Sequence, residues 1–172
     1  MRIFLIGFMC AGKSRVGREL ATRLRMPFID LDRVIEERVG PLVPFFHKEG
    51  EAAFRRIESE VLGQVLQGPR AVVATGGGTP CVVDNMERMR AAGMTVWLDV
   101  PEPELMRRIE RAGGDRPLLL GLKGEALLDR VRELLAEREP VYVQADYIVP
   151  AGDAPELVVQ RIEAVLGPLQ MM

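Results

Sequence analysis

Gly7-Phe8-Met9-Cys10-Ala11-Gly12-Lys13-Ser14 is the stretch on which the reading of this chain turns. It follows the pattern G-x-x-x-x-G-K-[ST] at every fixed position. Glycines let the backbone turn tightly, so that several N–H groups point at one phosphate. A helix opening near Lys13 turns its positive end toward the same anion. Lys13 adds a point charge suited to β and γ phosphates, and the Ser14 hydroxyl can ligate Mg²⁺. The flanks agree with this. Ile3 to Ile6 is a short apolar run that reads as a buried strand. Lys13 to Arg25 carries Val16, Leu20 and Leu24 at helical spacing until Pro27 stops it. The motif implies a bound nucleoside triphosphate. It leaves the chemistry open, since GTPases, ATPases and small-molecule kinases all carry it.

Outward from this motif, short apolar runs alternate with longer amphipathic stretches. Strands are expected at Phe28-Ile29 (ending in Asp30), Ala71–Ala74, Thr95–Leu98 and Tyr147–Val149. Helices are expected over Arg33–Val39, Glu51–Gln67, Asp84–Ala92 with Asp84 as N-cap, Glu102–Arg111, Glu125–Glu139 and Pro155–Leu166. Leu128, Val131 and Leu135 form the apolar stripe of the 125–139 helix. Such alternation predicts an α/β fold, a parallel sheet covered on both faces, with ligands at the C-terminal ends of its strands. Gly113 to Gly124 is Gly-rich and reads as an active-site lid.

The chain has 172 residues and a net charge of −2, which fits a single domain and leaves no basic field for nucleic acid or an anionic membrane. No run approaches the ~18 apolar residues of a membrane span, and Arg2 to Met9 is too short for a secretory leader. The cytoplasm is therefore the expected location. Cys10 and Cys81 have no metal-ligand spacing and read as reduced thiols.

Further candidates lie on the far side of the phosphate motif. The second strand is expected to lie beside the first, so that Asp30 and Asp32, at its end, face the same crevice. Two residues apart on an extended segment, both carboxylates would face the phosphates. One could act on Mg²⁺ through water and the other could take a proton from a hydroxyl. Alternatively, Asp32 merely caps the following helix. Phe54-Arg55-Arg56-Ile57-Glu58 lies on a helix, and Gly76-Gly77-Gly78 ends a strand where a substrate can approach backbone closely. Arg116-Pro117-Leu118-Leu119 lies in the lid, and Arg138-Glu139-Pro140-Val141-Tyr142 ends a helix.

In this order the P-loop and the D-x-D, F-R-x-x-E, G-G-G, R-P-L-L and R-x-P-x-Y elements resemble the shikimate kinase family, over about Ile3 to Val149. The resemblance implies a three-layer α/β/α P-loop kinase fold with a five-stranded parallel sheet, in one domain. A substrate-binding helical region would span about 33–63 and a mobile lid about 112–124. It implies a monomer that phosphorylates shikimate to shikimate 3-phosphate with ATP and Mg²⁺, on the route to chorismate and aromatic amino acids. Asp32, Lys13 and Arg116 would be catalytic, with Asp32 the base. Cys10, Ala11, Gly12, Lys13, Ser14, Arg15, Arg111 and Arg116 would bind ATP. Asp32, Arg55, Gly76, Gly77, Gly78 and Arg138 would bind substrate, the two arginines clamping its carboxylate. Ser14, and Asp30 through water, would serve the metal. Glu58 would orient Arg55, and Phe46 and Phe54 would wall the pocket.

The chain departs from the family pattern in places. Arg15 stands where Thr is usual, and Leu42 to Lys48, with Pro44 and His47, reads atypically. The third strand lacks a terminal Asp, leaving Asp30 as the Mg²⁺ partner. His47, the only histidine, reads as a surface or pocket-edge residue. A gluconate-type kinase lacking the Arg55–Arg138 clamp is one rival reading. A P-loop nucleotide sensor, which needs no acceptor residues, is another.

Overall fold

The computed structural model describes residues 1–113 and 116–167. Its centre is β1 (Ile3–Ile6), all of whose residues are fully buried. Successive strand side chains point to opposite faces, so burial of every one means that both faces are covered. Around it lie β2 (Phe28–Asp30), β3 (Val72–Ala74), β4 (Met94–Asp99) and β5 (Tyr147–Pro150). All pairings are parallel and the order is β2-β3-β1-β4-β5. The expected adjacency of the first two strands therefore fails, because β3 lies between them. Val72 and Val73 are wholly buried and match the central position better than the half-buried Phe28–Asp30, which forms an edge.

Helices α1 (Lys13–Leu24), α2 (Leu31–Val39), α3 (Leu42–Gln67), α4 (Asn85–Ala92), α5 (Glu102–Ala112), α6 (Gly124–Tyr142) and α7 (Pro155–Leu166) complete the α/β/α layers. Three of them depart from expectation in ways that shape the site. First, α2 begins at Leu31, so Asp32 sits in a helical first turn, not on an extended segment. Second, the atypical 42–48 stretch is helical. It joins the expected helix across a kink at Gly50, whose φ of 82° and ψ of 170° are non-helical. Third, α6 runs through Pro140 to Tyr142. Its buried face is Leu127, Val131, Leu134, Arg138 and Tyr142, so the core-facing stripe is offset from the expected one. Among the described residues no helix is long and apolar enough to cross a membrane.

Candidate active site

The chain leaves β1 through the P-loop and enters α1 at Lys13. Lys13 is almost buried and folds back on the loop, donating to the carbonyls of Gly7 at 2.8 Å and Phe8 at 2.7 Å. Burial pulls its pKa down to about 8, with the Asp32 carboxylate opposing the fall. Ser14 Oγ donates to Asp30 Oδ2 at 2.5 Å, joining the start of α1 to the end of β2. Cys10 adopts a left-handed backbone with φ of 62°, and burial pushes its thiol pKa up.

Arg108, which the sequence does not single out, braces this loop from α5. Its Nη1 reaches the carbonyls of Cys10 and Ala11 at 3.3 Å each, and its Nη2 the Ala151 carbonyl at 3.1 Å. Beside it a cleft of about 410 Å³ is lined by Cys10, Ala11, Gly12, Arg15, Arg111 and Pro155, among others. Arg15 and Arg111 are exposed at its rim.

On the other side of the loop lies a cavity of about 530 Å³. It collects Asp32 from α2, Phe46, Phe54, Arg55 and Glu58 from α3, Gly77 and Gly78, Arg116, and Arg138 from α6. Leu42, Val43 and Pro44 add to its wall, so the atypical segment is part of it. Phe46 and Phe54 pack with ring centroids 5.7 Å apart. His47 is exposed and is not in the lining.

The expectation that Asp30 and Asp32 point the same way fails, because a strand end and a helical turn aim side chains differently. Asp30 turns to Ser14, and Asp32 turns into the cavity. Asp30, not Asp32, holds the N-cap position of α2, with no side-chain cap bond. Burial raises Asp32 to about 6; Lys13 works against the rise, and Glu58 and Asp30 add to it.

The three glycines lie beneath three different functional groups. A Cβ on Gly76 would meet Glu58 Oε1 at 2.7 Å and Asp32 Oδ1 at 2.9 Å. On Gly77 it would meet Arg138 Nη1 at 2.9 Å and the Met9 amide nitrogen at 3.3 Å. On Gly78 it would meet Arg55 Cζ at 2.6 Å. Gly77 and Gly78 line the cavity, whereas Gly76 is buried behind them. Tyr142, also not given a role by the sequence, holds this turn by donating to the Gly77 carbonyl at 2.5 Å.

Arg55 Nη1 donates to Glu58 Oε2 at 2.8 Å and its Nη2 reaches Glu51 at 3.3 Å. Burial works against the Arg55 charge, but Glu58 and then Glu51 carry its pKa above the ordinary value. Arg138 is 5% exposed and lies 5.4 Å above the Phe8 ring. Its Nη1 is buried without a hydrogen-bond partner among the described residues. An uncompensated buried guanidinium is costly, and its position beside Gly77 calls for an anion there. Arg116 lines the same cavity, half-buried, with Nη1 reaching the Gly113 carbonyl at 3.4 Å. Gly114 and Asp115, within the expected lid, lie outside the described residues.

The P-loop thus abuts a cavity lined by three guanidinium groups, those of Arg55, Arg116 and Arg138, and by the carboxylates of Asp32, Glu36 and Glu58. The family model described as shikimate kinase matches residues 9–166. This chain belongs to the shikimate kinase family. A shikimate kinase of Bacteroides thetaiotaomicron is 42% identical over 172 residues, covering 96% of this chain and 98% of that protein. A crystal structure of shikimate kinase from the same organism matches with a TM-score of 0.89 at 42% identity, over 97% of this chain and 98% of that one. The structure of shikimate kinase from Acinetobacter baumannii in complex with shikimate matches with a TM-score of 0.87 at 34% identity. It covers 97% of this chain and 93% of that one.

Proposed function

We infer that this chain transfers the γ-phosphoryl group of ATP to shikimate, giving ADP and shikimate 3-phosphate. The observation that carries the reading is the buried, unpartnered Nη1 of Arg138 in a cavity that Arg55 also lines. Two guanidinium forks suit a carboxylate, and a neutral sugar offers nothing to discharge them. A nucleotide sensor would have no use for such a cavity.

The residues divide the work. Arg55 and Arg138 hold the acceptor's carboxylate, and Gly77 and Gly78 form the floor beneath its ring. Asp32, ionised above about pH 6, accepts the hydroxyl proton. The hydroxyl oxygen bonds to the γ-phosphorus as the bond from that phosphorus to the β–γ bridging oxygen breaks. ADP leaves with that electron pair. Lys13 and Arg116 supply positive charge where negative charge spreads over the transferring group. Cys10 to Ser14 cradle the phosphates, with Arg15 and Arg111 at the nucleotide cleft.

Mg²⁺ fits the donor set at Ser14 and Asp30, which offers hard oxygens. Among the described residues no group of three or more His, Cys, Asp or Glu could cage a metal. A cation that keeps waters and phosphate oxygens suits such a sparse site. When bound, Mg²⁺ neutralises phosphate charge. The 33–63 region, the 112–124 lid and a monomeric single domain complete the proposal. A coupled assay of ADP release with shikimate, gluconate and no acceptor tests it. Acceleration by shikimate alone is expected, and release no faster with shikimate than without it would sink the assignment.

A further inference from the structure

Glu58 is 1% exposed, and both its oxygens are engaged. Oε2 accepts from Arg55, whereas Oε1 accepts from Thr79 Oγ1 at 2.6 Å. Thr79 is wholly buried and opens the 3-10 turn Thr79–Cys81 directly after the glycines. Its amide donates to the Gly76 carbonyl at 3.2 Å. Its own carbonyl accepts from Nδ2 of the buried Asn85 at 3.0 Å. Asn85 is fixed in turn, its Oδ1 accepting from Ser59 at 3.0 Å and from Arg88 at 2.8 Å. The Thr79 backbone is therefore held by a chain of bonds that reaches α4, which fixes the point from which its hydroxyl is presented.

The position of that hydroxyl matters because two carboxylates crowd one glycine. The point where a Gly76 Cβ would lie is 2.7 Å from Glu58 Oε1, 2.9 Å from Asp32 Oδ1 and 3.0 Å from Thr79 Oγ1. Without the Thr79 donor, Glu58 Oε1 would be a buried acceptor left unpaired beside the proposed base. It would also be free to turn away from Arg55. We propose that Thr79 is a positioning residue for the acceptor site: its hydroxyl holds Glu58 so that one oxygen locks Arg55 and the other stays satisfied beside Asp32. The proposal rests on the kinase reading above.

Asp32 also faces Lys13 from α1, Asp30 from β2, Glu36 from its own helix, Arg55 from α3, Arg138 from α6 and Arg116. None of these bonds to Thr79. A change at Thr79 therefore reaches the cavity through Glu58 and the Arg55 it holds. In Thr79→Val the shape is kept but the donor is lost, and a buried acceptor left unpaired is costly. The shikimate KM should rise about tenfold, with the ATP KM unchanged. Thr79→Ser, which keeps the hydroxyl, should restore the shikimate KM.

The parent enzyme's response to shikimate, measured alongside, tests the kinase reading separately. Given an active parent, an unchanged shikimate KM in Thr79→Val would overturn the proposal. So would equal damage to the ATP and shikimate KM values, or a Ser variant as impaired as Val, since either means a purely structural role. If Thr79→Val does not fold, as judged by circular dichroism, Thr79→Ala is measured against the same criteria.

Discussion

At the scale of single residues, the site works through groups whose ionisation its enclosure has moved. Asp32 titrates at about 6 and Lys13 at about 8. With the proposed roles, the Asp32 carboxylate that serves as base is protonated below the first value and the Lys13 charge fades above the second. A plot of kcat/KM against pH should therefore rise through about 6 and fall beyond about 8, and Asp32→Asn should abolish turnover across the range. The same displacement bears on stability. The folded Asp32 binds its proton more tightly than an unfolded one, which titrates near 3.8. Folding is thus penalised as pH rises from that value through about 6, and the penalty is complete above it. Urea unfolding should show Asp32→Asn more stable than the parent by roughly 2–3 kcal/mol at pH 8, with the difference shrinking toward pH 4.5. A parent as stable as the variant at pH 8 would mean that Asp32 bears no burial penalty. For the clamp, Arg138→Ala should weaken shikimate binding by about 2 kcal/mol or more and leave ATP binding nearly unchanged, as titration calorimetry can read. Lys13, Asp32, Arg55 and Arg138 are all legible in the sequence as residue types in order. The separate directions of Asp30 and Asp32 are not, because they depend on whether α2 starts at Leu31 or two residues later. Pattern alone cannot fix a helix start that closely.

At the scale of elements, the glycine turn explains why three residues in a row lack side chains. Gly78→Ala would drive a methyl into the Arg55 guanidinium, whereas Gly77→Ala would press on both Arg138 and the Met9 amide of the P-loop. Steady-state kinetics should separate the two. Gly78→Ala should raise the shikimate KM about tenfold or more with the ATP KM intact, and Gly77→Ala should raise both. The sequence shows the glycines and suggests close backbone approach. It does not show that what approaches is the protein's own side chains, since these come from α3 and α6, far along the chain. Pro140 hid a second feature. A proline normally ends a helix, yet α6 continues through it and so carries Tyr142 to the Gly77 carbonyl. The kink at Gly50 is similar, since helix on both sides of one glycine reads from sequence as an interruption.

At the scale of the whole molecule, Arg116 faces the cavity from beyond the end of α5, while Lys13 folds back on the P-loop from the start of α1. Arg116→Ala should lower turnover at least tenfold through lost transition-state charge, and should change the shikimate dissociation constant far less. Equal losses in both would make Arg116 a binding residue. The α/β class and the five strands are legible from the alternation of short apolar runs and helices. The order of the strands is not, because each crossover can return to either side of the strand it left, and burial decides only after the chain has closed. That order has a consequence for what the scaffold can vary. The P-loop leaves β1 and the glycine turn leaves β3, hydrogen-bonded neighbours in which Leu5 pairs with Ala74 and the Thr75 amide donates to the Leu5 carbonyl at 3.1 Å. Donor and acceptor platforms are therefore one inter-strand step apart, about 4.8 Å, a length written in peptide geometry and indifferent to side-chain identity. Substitutions around the cavity wall can drift and change which acceptor is held. The spacing between the two turns is a gauge such drift leaves untouched, so new acceptor specificities can be explored on this frame without moving the turns that flank the site.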